Sequence, residues 1–98
     1  DSAYRLLIRT SKVSSPSAIK AIGTIPQGEE KDVMRLILEE LRQHSNWSEI
    51  PSGFAGAFLL AQELEETRAQ FKALISEVMP KLKPWFKSLI KDEVWFNS

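Results

Sequence analysis

The chain has 98 residues, 13 basic and 13 acidic side chains, and no cysteine. This length fits one domain, and the absence of cysteine excludes a disulfide framework, a thiolate nucleophile and a cysteine zinc site. Zero net charge excludes a global field that would gather nucleic acid or an anionic membrane.

Small secreted domains are usually dense in disulfides, so a cysteine-free chain is expected to be intracellular, in the cytoplasm. No apolar run approaches the length of a membrane span, and no N-terminal stretch reads as a signal peptide. The chain starts at Asp1 rather than methionine, and a single domain, residues 1–98, excised from a longer protein is expected. Charge is unevenly spread: residues 1–25 sum to +3, residues 26–70 to −5 and residues 71–98 to +2. The ends are basic and the middle is acidic, which suits either ends that pack beside the middle or a basic edge that meets an acidic partner.

Ala3–Thr10 fits two patterns. Tyr4, Leu6 and Ile8 alternate with Arg5, Leu7 and Arg9 as in a strand; Tyr4, Leu7 and Ile8 also share one helical face, with Asp1 or Ser2 as cap. A strand would need a partner, and Val94–Phe96 is the best one on offer, so helix is the expectation. Lys12–Ser17 reads as a connection. A short helix follows over Pro16–Ile22, with Ser15 as cap, Pro16 in the first turn, Gly23 at the exit and Ala18, Ile19 and Ile22 on its apolar face.

Glu29–His44 is a second helix. Glu29, Glu30 and Asp32 fill its first turn and Arg42 and His44 its last, both favourable to the helix dipole. Val33, Met34, Leu36, Ile37, Leu38 and Leu41 make a face wide enough to meet at least two neighbours. Glu39 with Arg42, and Asp32 with Arg35, are at ion-pair spacing. Ser45–Pro51 is a loop. It contains a match to the glycosylation acceptor pattern, Asn46-Trp47-Ser48, but such short patterns recur by chance and glycosylation is not expected. Trp47 either folds back to close the core or stands out as an anchor for a partner.

The chain is organised around Ser52–Met79, expected as one long helix. Phe54, Ala57, Ala61, Leu64, Phe71, Ile75 and Val78 recur at three- and four-residue steps, along one side of a helix. Pro51 precedes the start and Pro80 ends the run. Gly53, Ala57 and Ala61 form a small-residue strip that would admit a neighbouring backbone. The stripe suits the central helix of a bundle or, less well, a coiled-coil seam between two chains. Arg68 alone interrupts it. In a core helix its stem would lie along the core with its head in water; in a seam it would meet a carboxylate across the interface, and Arg68→Leu would strengthen self-association.

After Pro80, Pro84 suits the first turn of a last helix that begins near Lys83. Trp85, Phe86, Leu89, Ile90, Val94, Trp95 and Phe96 give it more apolar surface than one shallow contact covers, and Lys81, Lys83, Lys87 and Lys91 accompany them. The helix either packs back on the long helix or presents a partner-binding face. It is short and carries Asp92 and Glu93, which argues against a membrane-surface helix.

No catalytic constellation is visible. His44 is the single histidine, with no carboxylates at ligand spacing; Ser45 and Ser48 beside it lack a third member and a glycine-rich oxyanion segment. There is no phosphate loop and no dinucleotide fingerprint. Neither enzymatic activity nor a cofactor is expected. Lysines among aromatic rings are the residue types that track single strands, but the acidic middle leaves little net phosphate neutralisation, so direct nucleic-acid binding is not expected.

The expected fold is therefore an all-α bundle of four or five helices around the long helix 52–79; the alternative is an α+β domain in which the chain ends pair as a ribbon. The expected function is a non-enzymatic protein–protein interaction (adaptor) domain of a larger assembly. Its contact residues would be Trp47, Lys83, Trp85, Lys87 and Lys91, with Arg9 if the N-terminal end lies beside them. Homo-oligomerisation through the 53–78 stripe is the alternative, and a nucleic-acid accessory domain the third reading.

Overall fold

In the computed structural model, described for residues 2–45, 47 and 49–92, Ser15 accepts a hydrogen bond from the Ala18 N–H at 3.2 Å and Pro16 opens a helix that ends at Ile22. The fold is an all-α bundle: α1 Ser2–Arg9, α2 Pro16–Ile22, α3 Glu30–Arg42, α4 Phe54–Glu63, α5 Arg68–Val78 and α6 Pro84–Lys91. Short 3₁₀ turns at Glu65–Thr67 and Met79–Lys81 flank α5, and no strand occurs among the described residues. Ala3–Arg9 is helical, which removes one side of the alternative ribbon; Val94–Phe96, its other side, and the acceptor residues Asn46 and Ser48 lie outside the described residues.

The centre of the bundle is α4. Every residue from Phe54 to Ala61 is buried, as expected of a helix that is apolar all round, and α1, α2, α3 and α5 surround it. The close backbone approach keeps Gly53 of the expected strip but runs on through Gly56 rather than Ala57. A Cβ built on Gly56 would stand 2.1 Å from the Leu7 carbonyl oxygen, so α1 and α4 cross there backbone to backbone. One turn earlier Gly53 holds φ +93°, and a Cβ on it would lie 3.1 Å from the Ile8 oxygen. The Ser52 hydroxyl donates to that same oxygen at 2.9 Å, tying the end of α1 to the start of α4.

The stretch 52–79 is two helices, not one. Leu64 leaves the helical region (φ −123°, ψ 112°), and the chain turns through Glu65–Thr67 before α5 begins. No glycine or proline lies between Gly56 and Pro80, so the break is made by side chains. The Thr67 hydroxyl lies 3.1 Å from the Leu60 carbonyl and 2.8 Å from that of Leu64. Arg68 donates from Nε to the Ala61 carbonyl at 2.9 Å and from Nη2 to that of Gln62 at 3.0 Å. The last carbonyls of a helix have no partner within it, and a cation there also meets the negative end of the dipole. Arg68 is thus half-buried against the end of α4, a capping role that its position in the stripe did not suggest.

The break lets α5 fold back on α4. Phe71 packs edge-on to Phe54 at 5.4 Å and to Phe58 at 5.9 Å. Helix α3 packs on α1, α4 and α5, through buried Val33, Met34, Ile37, Leu38 and Leu41; Leu36 and Ile19, expected on apolar faces, point outward. Arg42 pairs at 3.1 Å with Glu77 of α5 rather than with Glu39 of its own helix, and Arg35 pairs with Asp32 and Glu39.

Candidate partner-docking surface

Two adjacent aromatic residues of α6 face opposite ways. Phe86 is buried against Phe54, ring centroids 4.8 Å apart, and Ile90, four residues on, is buried beside it. Trp85, a step of about 100° around the helix, is 59% exposed with its ring tilted against Phe86 at 5.5 Å. Among its described side chains α6 meets the core through Phe86 and Ile90; of the other apolar positions expected on it, the Leu89 side chain and Val94, Trp95 and Phe96 fall outside what is described.

The lysines lie to one side of Phe86 and Ile90. Lys83, Lys87 and Lys91 follow one another at four-residue spacing along one flank, and Trp85 begins the other. Lys83 and Lys91 are exposed and Lys87 is half-buried. Trp85, Ser88 and Lys91, at successive three-residue steps, are all exposed and form the outward ridge of the helix. Of the three lysines only Lys91 shares this ridge with Trp85; Lys83 and Lys87, each two residues from it, lie about 160° around the helix.

Trp47 is elsewhere. It is 5% exposed, its Nε1–H donates to the His44 carbonyl at 3.1 Å, and its ring stands edge-on to Phe54 at 6.1 Å and to His44 at 5.8 Å. A buried indole needs a partner for its one donor, and the loop backbone supplies it, so this ring closes the core and offers no surface anchor. Arg9 lies in the last turn of α1, whose principal neighbours are α2, α3 and α4. Its Nε donates to the Arg5 carbonyl at 3.2 Å, and its side chain lines a surface cavity of about 530 Å³ with Lys12 and serines of the α1–α2 connection. Of the six expected contact residues, Trp85, Lys87 and Lys91 lie on α6 and Lys83 caps it, while Trp47 is buried in the core and Arg9 lies on α1.

No group of three His, Asp or Glu side chains among the described residues could hold a metal ion. His44 is half-buried against Trp47. No helix is long and apolar enough to cross a membrane among the described residues. Comparison with models of protein families, with curated proteins and with solved structures finds no match to this chain.

Proposed function

We propose that the chain is a non-enzymatic interaction module that docks an acidic protein surface on the outward ridge of α6. The observation that carries this reading is Trp85: a tryptophan 59% exposed on a helix whose neighbouring ring is buried. Tryptophan is enriched among the few residues that dominate binding energy at protein interfaces. Lys91 on that ridge, with Lys83 and Lys87 on the adjoining flank, supplies the complementary charge, which governs encounter rate and salt sensitivity more than final affinity. The partner is accordingly a surface with an apolar slot for one indole and carboxylates along one side of it.

The test is partner retention by the protein, with Trp85→Ala and Lys83→Glu/Lys91→Glu variants compared with the wild type. The expected result is a partner held by the wild type, released by Trp85→Ala, and bound more slowly and with altered salt dependence by the charge variant, all three having the same thermal unfolding. A partner retained equally by all three proteins would refute the reading.

A further inference from the structure

The break between α4 and α5 rests on little backbone: one extended residue, Leu64, and one 3₁₀ turn. The local sequence there, Gln62-Glu63-Leu64-Glu65-Glu66, consists of strong helix formers. The three- and four-residue stripe runs straight through it. Local preference thus favours a single helix over 54–78, about 37 Å long, while the folded chain bends it in two.

The bonds that hold the bend have ready substitutes. The Ala61 and Gln62 carbonyls now accept from the Arg68 guanidinium; in a continuous helix they would accept from the backbone N–H groups of Glu65 and Glu66. Few hydrogen bonds separate the two forms. What the straight form loses is the return of α5 and α6 onto their own α4: the Phe71 contacts with Phe54 and Phe58, the Phe86 contact with Phe54, and the Arg42–Glu77 pair. A second copy opened at the same place would supply every one of them.

We infer that this protein forms a domain-swapped dimer, in which Leu64–Thr67 straightens and each copy's α5–α6 packs on the other's α1–α4. Exchange of an identical element between protomers is a low-cost route to a dimer. The core contacts are the same in both states, so the balance is set by the hinge and by protein concentration. This inference is independent of the docking reading: Trp85 stays outward in the monomer and in the swapped dimer alike.

Two substitutions push the hinge in opposite directions. Thr67→Val with Arg68→Ala removes the side-chain bonds that hold the bend and leaves the backbone free to straighten. Glu65→Pro holds Leu64 extended, because a residue before proline is driven from the helical region, and it alters only an exposed position. Each protein is unfolded in denaturant, refolded at high and at low concentration, and its mass read by light scattering on a sizing column. An equal mixture of labelled and unlabelled chains, refolded together, reports contacts between copies by isotope-filtered NMR.

The expected result is a dimer in the wild type refolded at high concentration, roughly tenfold more of it in the double variant, and none in Glu65→Pro. Contacts between Phe58 of one copy and Phe71 of the other should appear in the dimer. If the double variant does not refold, the wild type against Glu65→Pro decides the matter. A wild type that refolds only to monomer at high concentration, a dimer formed equally by Glu65→Pro, or a dimer without the Phe58–Phe71 contact between copies would each overturn the inference.

Discussion

Arg68 closes the end of the helix that precedes its own: its Nε donates to the Ala61 carbonyl at 2.9 Å while its Nη2 takes that of Gln62. The flat guanidinium spans both acceptors, which an ammonium on a flexible stem does less well. Hydrogen bonds to a charged group contribute about 1.5–3 kcal/mol. Arg68→Ala is therefore expected to lower stability by roughly that amount, with Arg68→Lys recovering only part of it. A urea titration of the three proteins checks this; a midpoint unchanged by Arg68→Ala would show that the cap contributes nothing.

Gly56 is expected to be intolerant of even one added carbon. Its Cβ would meet the Leu7 backbone at 2.1 Å, and backbone within a packed helix has little room to give. Overpacking of a core typically costs about 1–3 kcal/mol, and Gly56→Ala should reach at least that range. Ala57→Gly, in the same helix and without a comparable approach, should cost nearer the helix-propensity difference of about 1 kcal/mol. Thermal unfolding of the two variants gives the comparison.

Phe54 is where the aromatic core converges: Trp47, Phe71 and Phe86 all stand edge-on to it. Truncation of a buried phenylalanine to alanine costs about 3–5 kcal/mol. For a domain whose stability lies within the usual range of about 5–15 kcal/mol, that is a large share. Phe54→Ala is expected to lose cooperative unfolding at moderate temperature. An intact cooperative transition near the wild-type midpoint would mean that α6 and the Trp47 loop are not anchored through this ring.

The Arg42–Glu77 pair gives a pH signature. The hydrogen bond from Arg42 holds the Glu77 carboxyl below its ordinary value of 4.5, against a smaller opposing effect of burial. The folded value is the lower one, so the stabilisation is present above the unfolded value and is lost as pH falls through the folded value. Glu77→Gln should therefore be less stable than wild type at neutral pH, and the gap should narrow in acid. Both carboxylate and guanidinium are substantially exposed, so added salt should shrink the gap too. Denaturation curves of the two proteins across the acid range test the sign.

Cap chemistry made part of this fold legible in the sequence. The bounds of α2 follow from Ser15 and Pro16, whose effects are local, and α3 follows from its acidic start and its broad apolar face. The bend at Leu64 was not legible, because no residue there opposes a helix. It depends on Thr67 and Arg68 reaching back to carbonyls six and seven residues away, which matters only once α5 has somewhere to pack. Four-residue spacing from Gly53 leads to Ala57 and Ala61, whereas the crossing with α1 lies three residues along, at Gly56. At the candidate surface the lysines and aromatic residues were visible as a group. Their division into an inward Phe86 and an outward Trp85 depends on which side of α6 meets Phe54, and a sequence does not contain that. Trp47 was equally open to core or surface until its indole N–H found the His44 carbonyl.

Trp85 stands outside the fold and Trp47 inside it, and acrylamide quenching of tryptophan fluorescence separates the two. Two proteins are compared, Trp47→Phe/Trp95→Phe with Trp85 as its sole indole, and Trp85→Phe/Trp95→Phe with Trp47 as its sole indole. Trp85 should be quenched nearly as fast as free indole and Trp47 several-fold more slowly. A Trp85 as shielded as Trp47 would contradict it, because the ridge proposed to meet a partner would then already be covered.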